Sequence, residues 1–121
     1  MKKIIFLSII CIISLIINKH AIAENNFKKV YFAGGCFWCM EESFDKVDGV
    51  INSISGYSGG KLKNPTYQDV IYKDTGHVET IEITYDINKI TYQDLLNVYW
   101  KNIDPFDQYG QFCDKGKSYR S

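Results

Sequence analysis

Apolar positions along the chain fall into segments of two different periods. Val30-Tyr31-Phe32-Ala33 is a short apolar run that reads as a buried strand, and Gly34-Gly35 breaks it. From Cys36 to about Val47, Phe37, Met40, Glu41, Phe44 and Val47 recur at helical spacing. A strand therefore runs through a glycine turn into a helix, with Cys36 at the helix start. Asp48-Gly49 is a turn, and Val50 to Tyr57 reads as a second strand that Ser58-Gly59-Gly60 ends. Asn64-Pro65-Thr66 opens a short helix through about Ile71, and Asp74-Thr75-Gly76 turns the chain again.

The clearest strand is His77 to Tyr85. Side chains alternate faces along a strand, so Glu79, Ile81, Ile83 and Tyr85 share one face, and Val78, Thr80, Glu82 and Thr84 the other. The odd face is the apolar one, and it carries Glu79. After a turn over Asp86 to Lys89, Thr91 caps a helix with Tyr92, Leu95, Leu96 and Tyr99 on one face. Trp100 and Ile103 extend that stripe, and Asp104-Pro105 ends it. Phe106 to Ser121 is polar and glycine-bearing and predicts no regular element. Asn25 to Lys29 reads as a polar lead-in. The order of strand, helix, strand, strand, helix predicts an α+β fold. It is a two-layer sandwich on a ferredoxin-like split β-α-β core that lacks its last strand.

The 121 residues leave room for one small domain, and 45% hydrophobic with 15% aromatic content excludes a disordered chain. Formal charge is zero, so no basic excess points to nucleic acid. The first residues are of another kind. Lys2 and Lys3 precede an apolar run from Ile4 to Ile17, then Asn18-Lys19-His20 and Ala21-Ile22-Ala23. This is the pattern of a signal peptide cleaved after Ala23, and the run is short for a membrane span. The expected arrangement is a leader over 1–23 and one domain over 24–121, periplasmic or secreted. Losing Lys2, Lys3 and Lys19 with no acid takes the formal charge from zero to −3. Three cysteines remain, Cys36, Cys39 and Cys113. An odd count in an exported chain suggests a thiol kept for chemistry.

Cys36 is the sharpest feature. Amide groups at a helix start favour negative charge and so a thiolate, the reactive form of cysteine. The plain alternative is a small buried hydrophobe, the common fate of a free cysteine. Cys36-Phe37-Trp38-Cys39 is a C-x-x-C and allows three readings. It could be a thioredoxin-like redox pair, half of a zinc site with His77 and Cys113, or a nucleophile with its resolving partner. A thioredoxin fold lacks a cis-proline candidate here, since only Pro65 and Pro105 exist. Glu79 is the second feature: burial raises a carboxyl pKa and keeps a proton available near neutrality. Its alternative is an exposed glutamate at a strand end. Tyr57, by residue type, is a packing residue first, and Phe37 and Trp38 either form an apolar pocket or fill core.

Gly34-Gly35-Cys36-Phe37-Trp38-Cys39-Met40-Glu41 resembles the signature of A-type peptide-methionine sulfoxide reductases. Further matching pieces follow in the family's order. They are Gly56-Tyr57-Ser58-Gly59-Gly60, Asn64-Pro65-Thr66-Tyr67, Gly76-His77-Val78-Glu79, Trp100, Asn102-Ile103-Asp104-Pro105, Gln111-Phe112-Cys113-Asp114-Lys115-Gly116 and Tyr119-Arg120-Ser121. The resemblance implies reduction of the S epimer of methionine sulfoxide, free or in proteins, without metal or organic cofactor. It implies that Cys36 attacks the sulfoxide sulfur, that Glu79 protonates its oxygen, and that Tyr57 and Tyr119 hydrogen-bond that oxygen. Asp114 would shape the site, and Phe37 with Trp38 would hold the S-methyl group. The resulting sulfenic acid would condense with a second thiol, and a thioredoxin-like dithiol would restore the enzyme. Cys113, which precedes Asp114, is the preferred resolving cysteine, with Cys39 the alternative. The protein is expected to act as a monomer. The family's usual final strand and tail are missing after Tyr119-Arg120-Ser121. A non-catalytic remnant is therefore the competing reading, and a small Cys/His zinc module a more distant one.

Overall fold

A computed structural model describes residues 26–121. The leader expected over 1–23 lies outside the described residues. Among these, no helix is long and apolar enough to cross a membrane. The elements run β1 (Phe27–Phe32), α1 (Phe37–Asp45), β2 (Val50–Ser58), α2 (Tyr67–Tyr72), β3 (Val78–Asp86) and α3 (Tyr92–Lys101). A hairpin of β4 (Gly110–Gln111) and β5 (Asp114–Lys115) follows, then a 3-10 turn over Lys117–Tyr119.

The main sheet has the order β1-β3-β2, and both pairings are antiparallel. β1 and β2 thus run parallel with β3 inserted between them, and α1 makes the crossover. That is the expected split β-α-β core of an α+β sandwich. Among the described residues, no strand pairs with the outer edge of β1.

Alternation along β3 holds the layers together. Ile81 and Ile83 are fully buried, and Tyr85 joins them on the helix-facing side. Phe37, Met40 and Phe44 of α1, at helical spacing, and Leu95 of α3 pack on the same cluster. Phe32 closes it: its ring stacks on Phe44 at 5.6 Å and on Tyr99 at 4.9 Å between centroids. On the opposite face Val78 and Thr80 are buried, and Glu82 and Thr84 beyond them are polar and half-buried. Glu82 accepts hydrogen bonds from Lys29 Nζ at 2.5 Å and from Tyr31 Oη at 2.7 Å. One face packed and one solvated is usual for an antiparallel sheet.

β2 reads irregularly in sequence because a bulge lies between Val50 and Asn52. Beyond it, Ser53 Oγ donates to Asp45 Oδ1 at 2.5 Å, and Ser55 Oγ donates to the Glu41 carboxylate. These bonds fasten the strand to α1. Tyr57, two residues on, follows the same side toward the start of the helix.

Three expectations are corrected. The lead-in is strand: β1 begins at Phe27, because Lys28 and Lys29 pair with Tyr85 and Thr84 and the lysine heads stay in water. The tail is not irregular. Gln111 is buried and its amide bonds both the N–H and the carbonyl of Asp104, which fixes the β4–β5 hairpin. Trp100 leaves the apolar stripe of α3 and is exposed.

Both later helices open on capping boxes. Thr66 accepts from the Asp69 amide and Thr91 from the Asp94 amide, and each aspartate bonds back to its threonine. Thr91→Ala is expected to cost about 1 kcal/mol of stability, read as a lowered denaturant midpoint with an unchanged slope.

Candidate active site

The site is assembled where α1 begins. Gly35, at φ +85°, turns the chain out of β1 in a conformation that favours glycine. A Cβ there would lie 2.5 Å from Gln111 Cβ, so loop and hairpin are in close contact. Cys36 is the N-cap of α1, half-buried and outside helical geometry, with φ −57° and ψ 114°.

Cys36 gives α1 no side-chain cap. A residue from β3 supplies the acceptor instead: Glu79 Oε2 accepts from the Phe37 amide at 2.9 Å. Glu79 is only 1% exposed, so it is buried as its place on the odd face predicts. Burial drives its pKa up; the Phe37 amide opposes this, and the nearby charge of Asp114 adds to it.

Tyr57 is the register partner of Glu79 across β2 and β3. Burial first, then the charges of Glu79 and Tyr67, raise its pKa. Tyr119 comes from the 3-10 turn. Its hydroxyl is held well above the ordinary phenol range by burial, by a hydrogen bond with Tyr67 and by the charges of Glu79, Tyr67 and Asp114. Two phenols and one carboxyl, each with its pKa raised, therefore lie close enough for their charges to reach one another.

An aromatic platform borders this group. Phe37 is buried, 5.6 Å from Tyr57 and 5.3 Å from Trp38 between ring centroids. Trp38 is 62% exposed and stacks on Tyr67 at 5.9 Å. Tyr67 was not among the residues picked out from the sequence. Its signal is positional: it is the first residue of the helix that Thr66 caps.

The thiols line a different feature. A cleft of about 310 Å³ is bordered by Gly34, Cys36, Cys39, Gln111, Cys113 and Asp114. Cys113 is exposed, within the turn between β4 and β5. The Cys39 thiol is in hydrogen-bonding contact with Cys36; that bond, burial, and the charges of Cys36, Asp114 and Glu42 push its pKa up.

His77 does not join the cysteines. Its Nδ1 accepts from the Gly60 amide at 3.2 Å, and its Nε2 lies 2.9 Å from the Leu62 carbonyl. It ties the loop after β2 to the start of β3. Among the described residues, no three His, Cys, Asp or Glu side chains gather closely enough to hold a metal ion.

Residues 28–121 match the family of peptide methionine sulfoxide reductases. This chain belongs to that family. The peptide methionine sulfoxide reductase MsrA of Streptococcus mutans is 50% identical over 93 residues, which cover 77% of this chain and 55% of that protein. MsrA 2 of Caulobacter vibrioides is 47% identical over 120 residues, covering 99% of this chain and 61% of that one. Among solved structures, methionine sulfoxide reductase A of Corynebacterium diphtheriae superposes with a TM-score of 0.77 at 32% identity. It matches over 84% of this chain and 50% of its own. Reduced Mxr1 of Saccharomyces cerevisiae gives a TM-score of 0.74 at 30% identity, over 81% and 59%. The chain thus spans about half to three fifths of the length of these relatives.

Because the folded pKa of Glu79 lies above its ordinary value, its stabilising contribution is fully present below that ordinary value. It is lost as pH rises through the folded pKa. Glu79→Gln keeps an oxygen to accept the Phe37 amide and removes the titration. Relative to this variant, the native chain is expected to lose stability as pH rises above the ordinary glutamate value of about 4, as urea midpoints at several pH values would record.

Proposed function

We propose that this chain reduces methionine S-sulfoxide, free or within proteins, to methionine by thiol chemistry at Cys36. The observation that carries the reading is Glu79, a buried carboxyl bonded to the amide of the residue that follows Cys36. A nucleophilic sulfur and a proton donor are thereby fixed to the same turn of backbone.

The Cys36 sulfur attacks the sulfoxide sulfur. Glu79, its pKa raised by burial, gives its proton to the sulfoxide oxygen as negative charge grows there. Tyr57 and Tyr119 face the same volume with their phenol protons in place and hydrogen-bond that oxygen. Asp114, close enough for its charge to reach Glu79, Tyr119 and Cys39, helps to raise the pKa of the carboxyl. Phe37 and Trp38 offer the apolar surface for the S-methyl group. Methionine leaves with its sulfur reduced, and the oxygen stays on Cys36 as a sulfenic acid. A second thiol condenses with it to a disulfide and water, and a thioredoxin-like dithiol restores both thiols. The leader-like segment over 1–23 supports a periplasmic or secreted setting for this repair.

The test is turnover of methionine S-sulfoxide with excess dithiothreitol, beside Cys36→Ser and Glu79→Gln. Cys36→Ser is expected to abolish turnover. Glu79→Gln is expected to lower kcat by about 10²–10⁴-fold in a chain that stays folded. A folded native chain that forms no methionine would reject the activity and leave a catalytically silent member of the family.

A further inference from the structure

Cys36 and Cys39 occupy the N-cap and the third helical position of α1. In this same chain those two positions bring side chains into contact at both other helix starts. Thr66 Oγ1 donates to Asp69 Oδ2 at 2.6 Å, and Thr91 Oγ1 to Asp94 Oδ2 at 2.5 Å. The N-cap side chain folds over the first turn, and the side chain three residues on reaches back to it. At α1 the pair is two cysteines, and both residues line one cleft.

We propose that Cys39 is the resolving cysteine of this chain, closing a Cys36–Cys39 disulfide across the first turn of α1. This rests on the sulfoxide reduction proposed above. The Cys39 sulfur attacks the sulfur of the Cys36 sulfenic acid. The S–S bond forms, the S–OH bond breaks, and the hydroxyl leaves as water with the proton of the Cys39 thiol. An external dithiol then reduces the disulfide and is itself oxidised. Cys39 is exposed, so its sulfur is open to that second attack.

Before oxidation, a hydrogen bond with Cys36, burial and the charges of Cys36, Asp114 and Glu42 hold the Cys39 pKa up. Cys113 lines the same cleft but comes from a separate element. It sits on a hairpin held by the buried Gln111, which bonds Asp104 and packs on Gly35. The preference for Cys113 drawn from its neighbour Asp114 thus gives way to the helix-start geometry.

The test is disulfide mapping of the full chain after reaction with methionine S-sulfoxide and no reductant. Free thiols are alkylated before digestion with trypsin. Residues 30–46 form one tryptic peptide holding both Cys36 and Cys39, and residues 102–115 form another holding Cys113. The expected product is peptide 30–46, unalkylated and lighter by two hydrogen atoms, with one methionine released per chain. Cys39→Ser is expected to release the same single methionine and to stop at a Cys36 sulfenic acid that dimedone captures. Peptide 30–46 joined to 102–115 would overturn the assignment and leave the sulfoxide chemistry standing. So would a dimedone-reactive Cys36 beside an alkylated Cys39 in the native chain. Absence of any methionine from the native chain would instead reject the activity itself, and this assignment with it.

Discussion

The hydrogen bond from the Phe37 amide to Glu79 is the contact on which the rest of the site depends. A helix start leaves amide groups without partners, and α2 and α3 meet that need with local threonine and aspartate side chains. α1 cannot, because its N-cap position is given to a cysteine that makes no cap. The acceptor comes from the central strand, 42 residues later in sequence. One bond thereby joins sheet to helix, satisfies a buried amide and places a carboxyl beside the turn that carries Cys36. Its strength is limited by design: the amide favours the ionised carboxylate, while desolvation, the larger influence, favours the acid.

Around that bond, separate segments are held by contacts whose only evident role is position. Gln111 seals the loop before Cys36, and His77 ties the loop after β2 to the head of β3. Arg120 reaches the Gly76 carbonyl at 3.1 Å, and Lys117 pairs with Asp74 at 2.8 Å. The last pair is fully exposed and adds little stability. It does, however, lie next to the turn that carries Tyr119. The tail thus supplies Tyr119 and Asp114 to a site built mainly by α1, β2 and β3.

Much of this was legible from residue order. The glycine pair before Cys36, the alternation that buries Glu79 and the helix begun by Thr91 all follow from short-range rules of period and capping. The extension of β1 to Phe27 was not, because Lys28 and Lys29 read as polar until β3 is seen to pair with them. The hairpin over 110–115 escaped as well. It has no periodic pattern, and it is fixed by one buried glutamine side chain bonding a backbone seven residues away. Tyr67 stood inside a recognised stretch without a role, since its partners Trp38 and Tyr119 lie far from it in sequence.

The sequence by itself determined the order of the main elements, the buried face of β3, the place of Cys36 at a helix start and the family. Each of these is written in local spacing or in ordered motifs. Only the tertiary structure decided which acceptor caps α1, that Tyr57 is the register partner of Glu79, and that Cys36, Cys39 and Cys113 line one cleft. Those outcomes hang on strand register, on a bulge in β2 and on long-range side-chain contacts. Periodicity carries no record of such pairings, because a pattern of period 2 or 3.6 states which face a residue occupies and not what meets it there.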